Sequence, residues 1–218
     1  MTDALDQDPP APPTAEHLDV LLDVDGVLYP LPELFTGFAA ERLGRALDLE
    51  TSDWEFYTAW GLGYDDFVDL LGQGVRARTL WWTGHPYADV VDGVTRLRRD
   101  GHRIHIVTAR NVSGIEAEAF DATVHWLEQH GLEAETVNLT QHKETVLARL
   151  GLDPATCLAV DDGPHIIEGF NAVGVYGVVV DRWGSYRGPL PSVPDLTALA
   201  DTVIGWATDR PDRARNQA

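Results

Sequence analysis

Cysteine, methionine and lysine each occur once in the 218 residues. A single cysteine, Cys157, excludes an intrachain disulfide and favours a reducing compartment. It sits in the apolar run Thr156–Val160, where a buried structural thiol is expected. No uninterrupted apolar stretch approaches the roughly 20 residues that span a bilayer. The first sixteen residues are rich in Asp, Pro and Ala and lack the pattern of a signal segment. A cytoplasmic location with no membrane partner is therefore expected. Basic residues are scarce: 16 Lys+Arg face 35 Asp+Glu, a formal net charge of -19. That balance argues against nucleic acid polymers as partners, because the phosphate backbone selects basic surfaces. It also repels small phosphorylated molecules unless a site carries its own positive charge. Lys143 is the only lysine, so its position is informative. No Cys/His zinc pattern is present, and His102 and His105, three apart on one expected strand, make a poor metal pair.

What is present reads as globular: 44% hydrophobic and 23% charged residues. Strands are expected at His17–Asp23, Arg103–Thr108, Glu135–Leu139, Thr156–Val160 and Val175–Val180. They are apolar on both faces, as strands buried in a parallel sheet are. Helices are expected at Ala88–Asp100, Ile115–His130, Lys143–Leu150, His165–Val173 and near Leu196–Ala207. Several stop at glycine (Gly101, Gly131, Gly151, Gly174), the residue suited to a left-handed C-cap. The alternation predicts an α/β fold, a doubly wound parallel sheet with right-handed crossovers. From Asp23 to Thr108 is 85 residues, far longer than a βαβ unit of about 30. An insert at 31–82 accounts for the excess, and it holds ten of the nineteen aromatics, as a small helical subdomain with its own core would. The expected organisation is a disordered tail at 1–16, a core at 17–30 and 83–207, the insert, and a flexible tail at 208–218.

Four short motifs close successive strands. Asp23-Val24-Asp25-Gly26 places two carboxylates at the C-terminal edge of the first strand, where open α/β sheets bind ligands. The same residues also suit an ordinary acidic turn. Thr108-Ala109-Arg110-Asn111 ends the second strand with a hydroxyl and a following helix N-terminus, able to hold an anion or to form a plain cap with Ser113. Lys143 follows the third strand and opens a helix, an unfavourable place for a cation that serves no other purpose. Asp161-Asp162-Gly163 ends the fourth strand, and its adjacent like charges call for a hard cation such as Mg2+. All four converge on one pocket.

In these motifs and their order the sequence resembles the haloacid dehalogenase-like superfamily, from about residue 17 to 181. The resemblance implies that Asp23 is a nucleophile forming an aspartyl-phosphate and that Asp25 is the general acid and base. It implies that Thr108 and its neighbours Ala109 and Arg110 bind the phosphoryl group, and that Lys143 pairs with that group and the nucleophile. Mg2+ would be held by Asp23, Asp162, Asp161 and the backbone carbonyl of Asp25. A carboxylate two residues beyond the nucleophile matches the superfamily's phosphatases and mutases rather than its ATPases or dehalogenases. The insert stands where the family carries a helical cap of its first type.

Thr108–Asn111, Asp161–His165 and Val180–Trp183 are further similar to the 5'(3')-deoxyribonucleotidase group, although Arg182-Trp183-Gly184 departs from that group's tail. Together these imply a Mg2+-dependent hydrolase of a small phosphomonoester, with nucleotides and sugar phosphates among the candidates. The alternatives are a phosphoryl-ligand binding protein without turnover and the Asp-Val-Asp metal site of a sugar-nucleotide transferase. Trp54, Tyr57, Trp60, Trp81 and Trp82 are candidates to stack on a base or to form the insert's core. Arg76, Arg78 and Arg110 are candidate substrate contacts.

Overall fold

A computed structural model describes residues 9–49 and 55–208. They form a parallel sheet of six strands in the order β3-β2-β1-β4-β5-β6. The strands are β1 (Asp19–Leu22), β2 (Arg103–Thr108), β3 (Thr136–Leu139), β4 (Cys157–Asp161), β5 (Tyr176–Val180) and β6 (Ser192–Val193). The helices are α1 (Leu31–Leu43), α2 (Tyr64–Arg76), α3 (Val90–Arg99), α4 (Glu116–Gln129), α5 (Val146–Leu150), α6 (Pro164–Ala172) and α7 (Leu196–Thr208). The two-residue β6 has no sequence expectation behind it, because it is too short to show periodicity.

Both faces of the sheet are buried, which explains the continuous apolar strands. Val20, Leu22, Ile104, Ile106, Leu158 and Val160 point to one side and join the larger core. Leu21, Val107, Ala159 and Val179 point to the other and pack on Val146, Leu147, Ile167 and Phe170 of α5 and α6. Cys157 is fully buried there, and burial pushes its thiol up to about 12, as suits a structural residue. The four expected helix-ending glycines all adopt the left-handed conformation, with φ of 90, 65, 66 and 87° for Gly101, Gly131, Gly151 and Gly174.

Two local expectations change. The helix from Lys143 begins as a 3-10 turn, Lys143–Thr145, before α5 takes over. Ser113 does not cap α4, whose N-cap position is Ile115 without a side-chain cap. Among the expected tails, residues 1–8 and 209–218 lie outside the described residues, and 9–16 run without regular structure.

Residues 31–82 contribute α1, a 3-10 turn at Phe56–Trp60 and α2. Phe35 is the hub of their packing, with ring centroids 6.1 Å from Phe56, 6.2 Å from Trp60 and 4.8 Å from Phe67. Tyr57 stacks on Phe67 at 4.5 Å. Five of the insert's ten aromatics, Phe35, Phe56, Tyr57, Trp60 and Phe67, therefore face one another. Trp54 lies outside the described residues.

At the sheet's N-terminal edge His105 bridges Asp19 (2.9 Å) and Thr136 (3.0 Å), while His102, just before β2, accepts a hydrogen bond from Leu18 N. Both histidines are structural.

Helices α3 and α7 touch where Gly93 meets Leu196, and a Cβ on Gly93 would fall 2.7 Å from Leu196 C and O. Alanine gains up to about 1 kcal/mol of helix propensity, but backbone cannot yield as a side chain does. Gly93→Ala is therefore expected to destabilise the fold by about 1–3 kcal/mol. Urea denaturation checks this, and a higher midpoint for the variant would contradict it.

Candidate active site

The strand order reverses direction between β1 and β4, the point at which open α/β sheets form a crevice beyond their strand ends. Asp23 extends β1 by one residue, donating its N–H to Val160 O at 3.0 Å. The chain then closes a tight loop in which Leu28 N and Tyr29 N both donate to Val24 O, at 2.8 and 2.7 Å. Gly26, at φ 79°, permits that loop. Its missing side chain matters twice, since a Cβ would meet Asp162 Oδ2 at 1.8 Å. Asp23, Asp25, Thr108, Ala109, Lys143, Asp161 and Asp162 line one cavity of about 460 Å³ between the strand ends and the insert. All four sequence motifs thus reach the same space.

Lys143 Nζ lies 2.7 Å from Asp23 Oδ1 and 2.7 Å from Asp161 Oδ2. Burial opposes its charge, but Asp161 and Asp23 outweigh burial and hold its pKa above the ordinary lysine value. The second oxygen of Asp161 accepts the N–H of Gly163 at 2.8 Å. Burial raises the Asp161 pKa to about 6 against the pull of Lys143. Asp162 is pushed well up by burial, then by Asp161 and Asp23. Burial also raises Asp25, with Arg110 opposing. Thr108 Oγ1, at the end of β2, is buried with no hydrogen-bond partner among the described residues. An orphaned buried hydroxyl is costly unless a ligand completes it.

A family model for the haloacid dehalogenase-like hydrolases matches residues 20–174. The chain belongs to this family. Solved structures of similar fold include a predicted phosphatase from Clostridium acetobutylicum, at TM-score 0.64 and 12% identity over 87% of this chain and 99% of that one. The putative HAD-hydrolase YfnB from Bacillus subtilis, bound to magnesium, aligns at TM-score 0.60 and 14% identity, covering 86% and 98%. The L-2-haloacid dehalogenase from Xanthobacter autotrophicus aligns at TM-score 0.55 and 15% identity, covering 87% and 99%. No curated protein sequence matches the chain significantly. At such identities the likeness shows the fold of this hydrolase, while its chemistry must be argued from its own residues.

Those residues suit a divalent cation. Oxygens of Asp23, Asp161 and Asp162 lie within 4.8 Å of one another, the one such acidic or histidine group among the described residues. The donors are hard carboxylate oxygens, matching Mg2+ rather than a thiophilic metal. Asp23 and Asp161 share Lys143, while Asp162 has no lysine or arginine as a hydrogen-bond partner among the described residues, so a cation is wanted beside it. The side chain of Asp25 stands apart from this group, turned to Arg110.

Other candidates are placed differently. Arg110 does not line the cavity; it is 1% exposed and each of its guanidinium nitrogens donates to a protein group, so it is not positioned as the substrate contact expected of it. Arg76 reaches Gly114 O, and Arg78 lies over the Trp82 ring, both outside the cavity. Tyr57 and Trp81 line the cavity, whereas Trp60 and Trp82 do not.

Sequence reasoning missed two supports. Arg182 donates to Gly26 O at 3.2 Å and to Val27 O while pairing with Asp89 at 2.9 Å, and so fastens the loop that carries Asp23 and Asp25. Gln141 donates to Ala109 O at 2.6 Å, tying the second motif to the third. Arg182 stands in the Val180–Trp183 segment, a signal that gave no role.

The carboxylates predict a pH effect with a definite sign. Asp161 has a folded pKa near 6 against an ordinary 3.8. Its protonation therefore stabilises the metal-free fold below about pH 4, and that contribution is lost as the pH rises through about 6. Mg2+ must displace these protons. The rise in melting temperature on adding saturating Mg2+ is expected to grow between about pH 5 and pH 7.5. Asp162→Asn should abolish it, and Gly26→Ala, which pushes Asp162 aside, should reduce it. Scanning fluorimetry with Mg2+ or EDTA measures this; no increment at any pH in the unaltered protein would exclude the metal site.

Proposed function

We propose that this hydrolase cleaves small phosphomonoesters through an aspartyl-phosphate on Asp23. Asp25 carries the proposal: a second carboxyl lies on the same cavity as Asp23, and its burial favours the proton-carrying form. An alkoxide needs such a proton donor as it leaves. A carboxylate displacing halide from a haloacid needs none.

Asp23 attacks phosphorus, the bond from phosphorus to the ester oxygen breaks, and Asp25 gives that oxygen its proton. Water then attacks the aspartyl-phosphate, giving its proton to Asp25, so that inorganic phosphate leaves and Asp23 is restored. Lys143 aligns the Asp23 carboxylate and offsets the repulsion between two anions. Thr108 Oγ1 and the backbone following it are the groups suited to hold the phosphoryl oxygens. Mg2+ held by Asp23, Asp162 and Asp161 would supply charge neutralisation and orientation of the phosphate.

The rest of the cavity favours one class of ester. Its wall is apolar and aromatic, with Leu31, Tyr57, Tyr64, Phe67, Leu71 and Trp81. Among the described residues lining it, Lys143 is the only lysine or arginine, and it is held by Asp23 and Asp161. No such cation remains for a second phosphate. A monophosphate with an uncharged leaving group fits, and the rings suit a nucleobase or another flat apolar group. Among the described residues no helix is long and apolar enough to cross a membrane, and a soluble cytoplasmic metabolite is the proposed partner.

Hydrolysis of p-nitrophenyl phosphate and of a phosphate-ester panel tests the proposal. Activity should need Mg2+, vanish with EDTA and fall by at least about 10³-fold in Asp23→Asn. Nucleoside and aryl monophosphates should exceed sugar bisphosphates in kcat/KM. Full activity in Asp23→Asn would remove the nucleophile. Ligand binding without turnover across the panel would instead favour a binding protein.

A further inference from the structure

Arg110 is a buried arginine whose guanidinium serves the protein alone. Its Nε donates to Asp25 Oδ2 at 2.9 Å and Nη2 donates to Asp25 Oδ1 at 2.7 Å, a bidentate grip on both oxygens of one carboxylate. Nη1 donates to Thr123 Oγ1 on α4 at 3.1 Å, and that hydroxyl donates to Ala119 O at 2.7 Å. Two rings hold the guanidinium as well: Arg110 Cζ lies 5.0 Å from the Tyr29 centroid and 4.8 Å from that of Trp81.

These rings come from the two chain segments that join the insert to the sheet. Tyr29 stands two residues before α1, and Trp81 lies at the insert's far end. They are tied to each other, since Trp81 N donates to Tyr29 Oη at 2.9 Å. Trp81 adopts φ 64°, a left-handed conformation that a bulky residue keeps only where its surroundings impose it.

We propose that Arg110 is the positioning residue of Asp25, and that Tyr29 and Trp81, one on each link to the insert, hold it in that role. The proposal rests on the reading of Asp25 as the acid. A guanidinium fork fixes the plane of a carboxylate, whereas an ammonium holds it at one point. Asp25 then turns only if Arg110 turns, and Arg110 turns only if the two links part. The insert, which roofs the cavity, and the proton donor beneath it are coupled through one side chain.

The test uses Arg110→Met, Arg110→Lys, Asp25→Asn and the Asp25→Asn/Arg110→Met double variant, assayed on p-nitrophenyl phosphate and on β-glycerophosphate. Nitrophenolate leaves without a proton, and an alkoxide does not. Arg110→Met should lower kcat/KM, which reports formation of the aspartyl-phosphate, about 10²-fold on the alkyl ester and only a few-fold on the aryl ester, with KM on the alkyl ester not raised. Arg110→Lys should recover part of the loss, and the double variant should be no worse than Asp25→Asn alone. Circular dichroism checks folding. Should Arg110→Met fail to fold, Arg110→Lys and the double variant, which buries no unpaired charge, decide the matter.

Equal losses of kcat/KM on both esters, or losses that multiply in the double variant, would overturn the proposal and leave Arg110 a structural residue. A raised KM with kcat unchanged would overturn it in favour of substrate contact. An unaltered protein inactive on both esters would overturn the phosphatase reading and this proposal with it.

Discussion

Repulsion among Asp23, Asp25, Asp161 and Asp162 is the constraint that organises this end of the molecule. Each stands at or just past the end of β1 or β4, so the sheet itself forces them together. Isolated, such carboxylates would shed their charge or spread apart. Lys143 and Arg110 prevent this in different ways. Lys143 joins the two strands by touching one carboxylate from each, while Arg110 takes Asp25 alone and turns it from the others.

That division gives like residues unlike chemistry. Asp23 sits 2.7 Å from the Lys143 ammonium, which orients its carboxylate. At Asp25 burial outweighs the arginine and favours a bound proton. Asp162 has neither cation as a hydrogen-bond partner among the described residues, and its raised pKa marks where positive charge is wanted. Asp161 is already divided between Lys143 and the Gly163 N–H, so it orders the site as much as it offers a ligand oxygen.

The insert contributes through packing. Its aromatics gather around Phe35 into a core of their own, which leaves one face of rings for the cavity. The links at Tyr29 and Trp81 are joined by the hydrogen bond from Trp81 N to Tyr29 Oη, and the guanidinium of Arg110 lies 5.0 and 4.8 Å from their ring centroids. Arg182 performs a similar service for the loop that carries Asp23 and Asp25, donating to the carbonyls of Gly26 and Val27 while paired with Asp89.

The sequence by itself determined the parallel sheet, because two-sided apolar strands alternate with helices that stop at glycine, and each such signal is local. It also determined which side chains meet, since residues at the C-terminal ends of neighbouring parallel strands share one edge. Asp23, Asp25, Thr108, Lys143, Asp161 and Asp162 were legible for that reason. Only the tertiary structure decided the partners of Arg110. Next to Thr108 in the chain it reads as a phosphate contact, yet its side chain leaves the cavity to meet Asp25, 85 positions away, and rings from both ends of the insert. The left-handed backbone of Trp81 and the Arg182 staple were equally hidden. Periodicity and spacing describe neighbours along an element, whereas a long side chain answers to whatever charge and ring the fold brings within its reach.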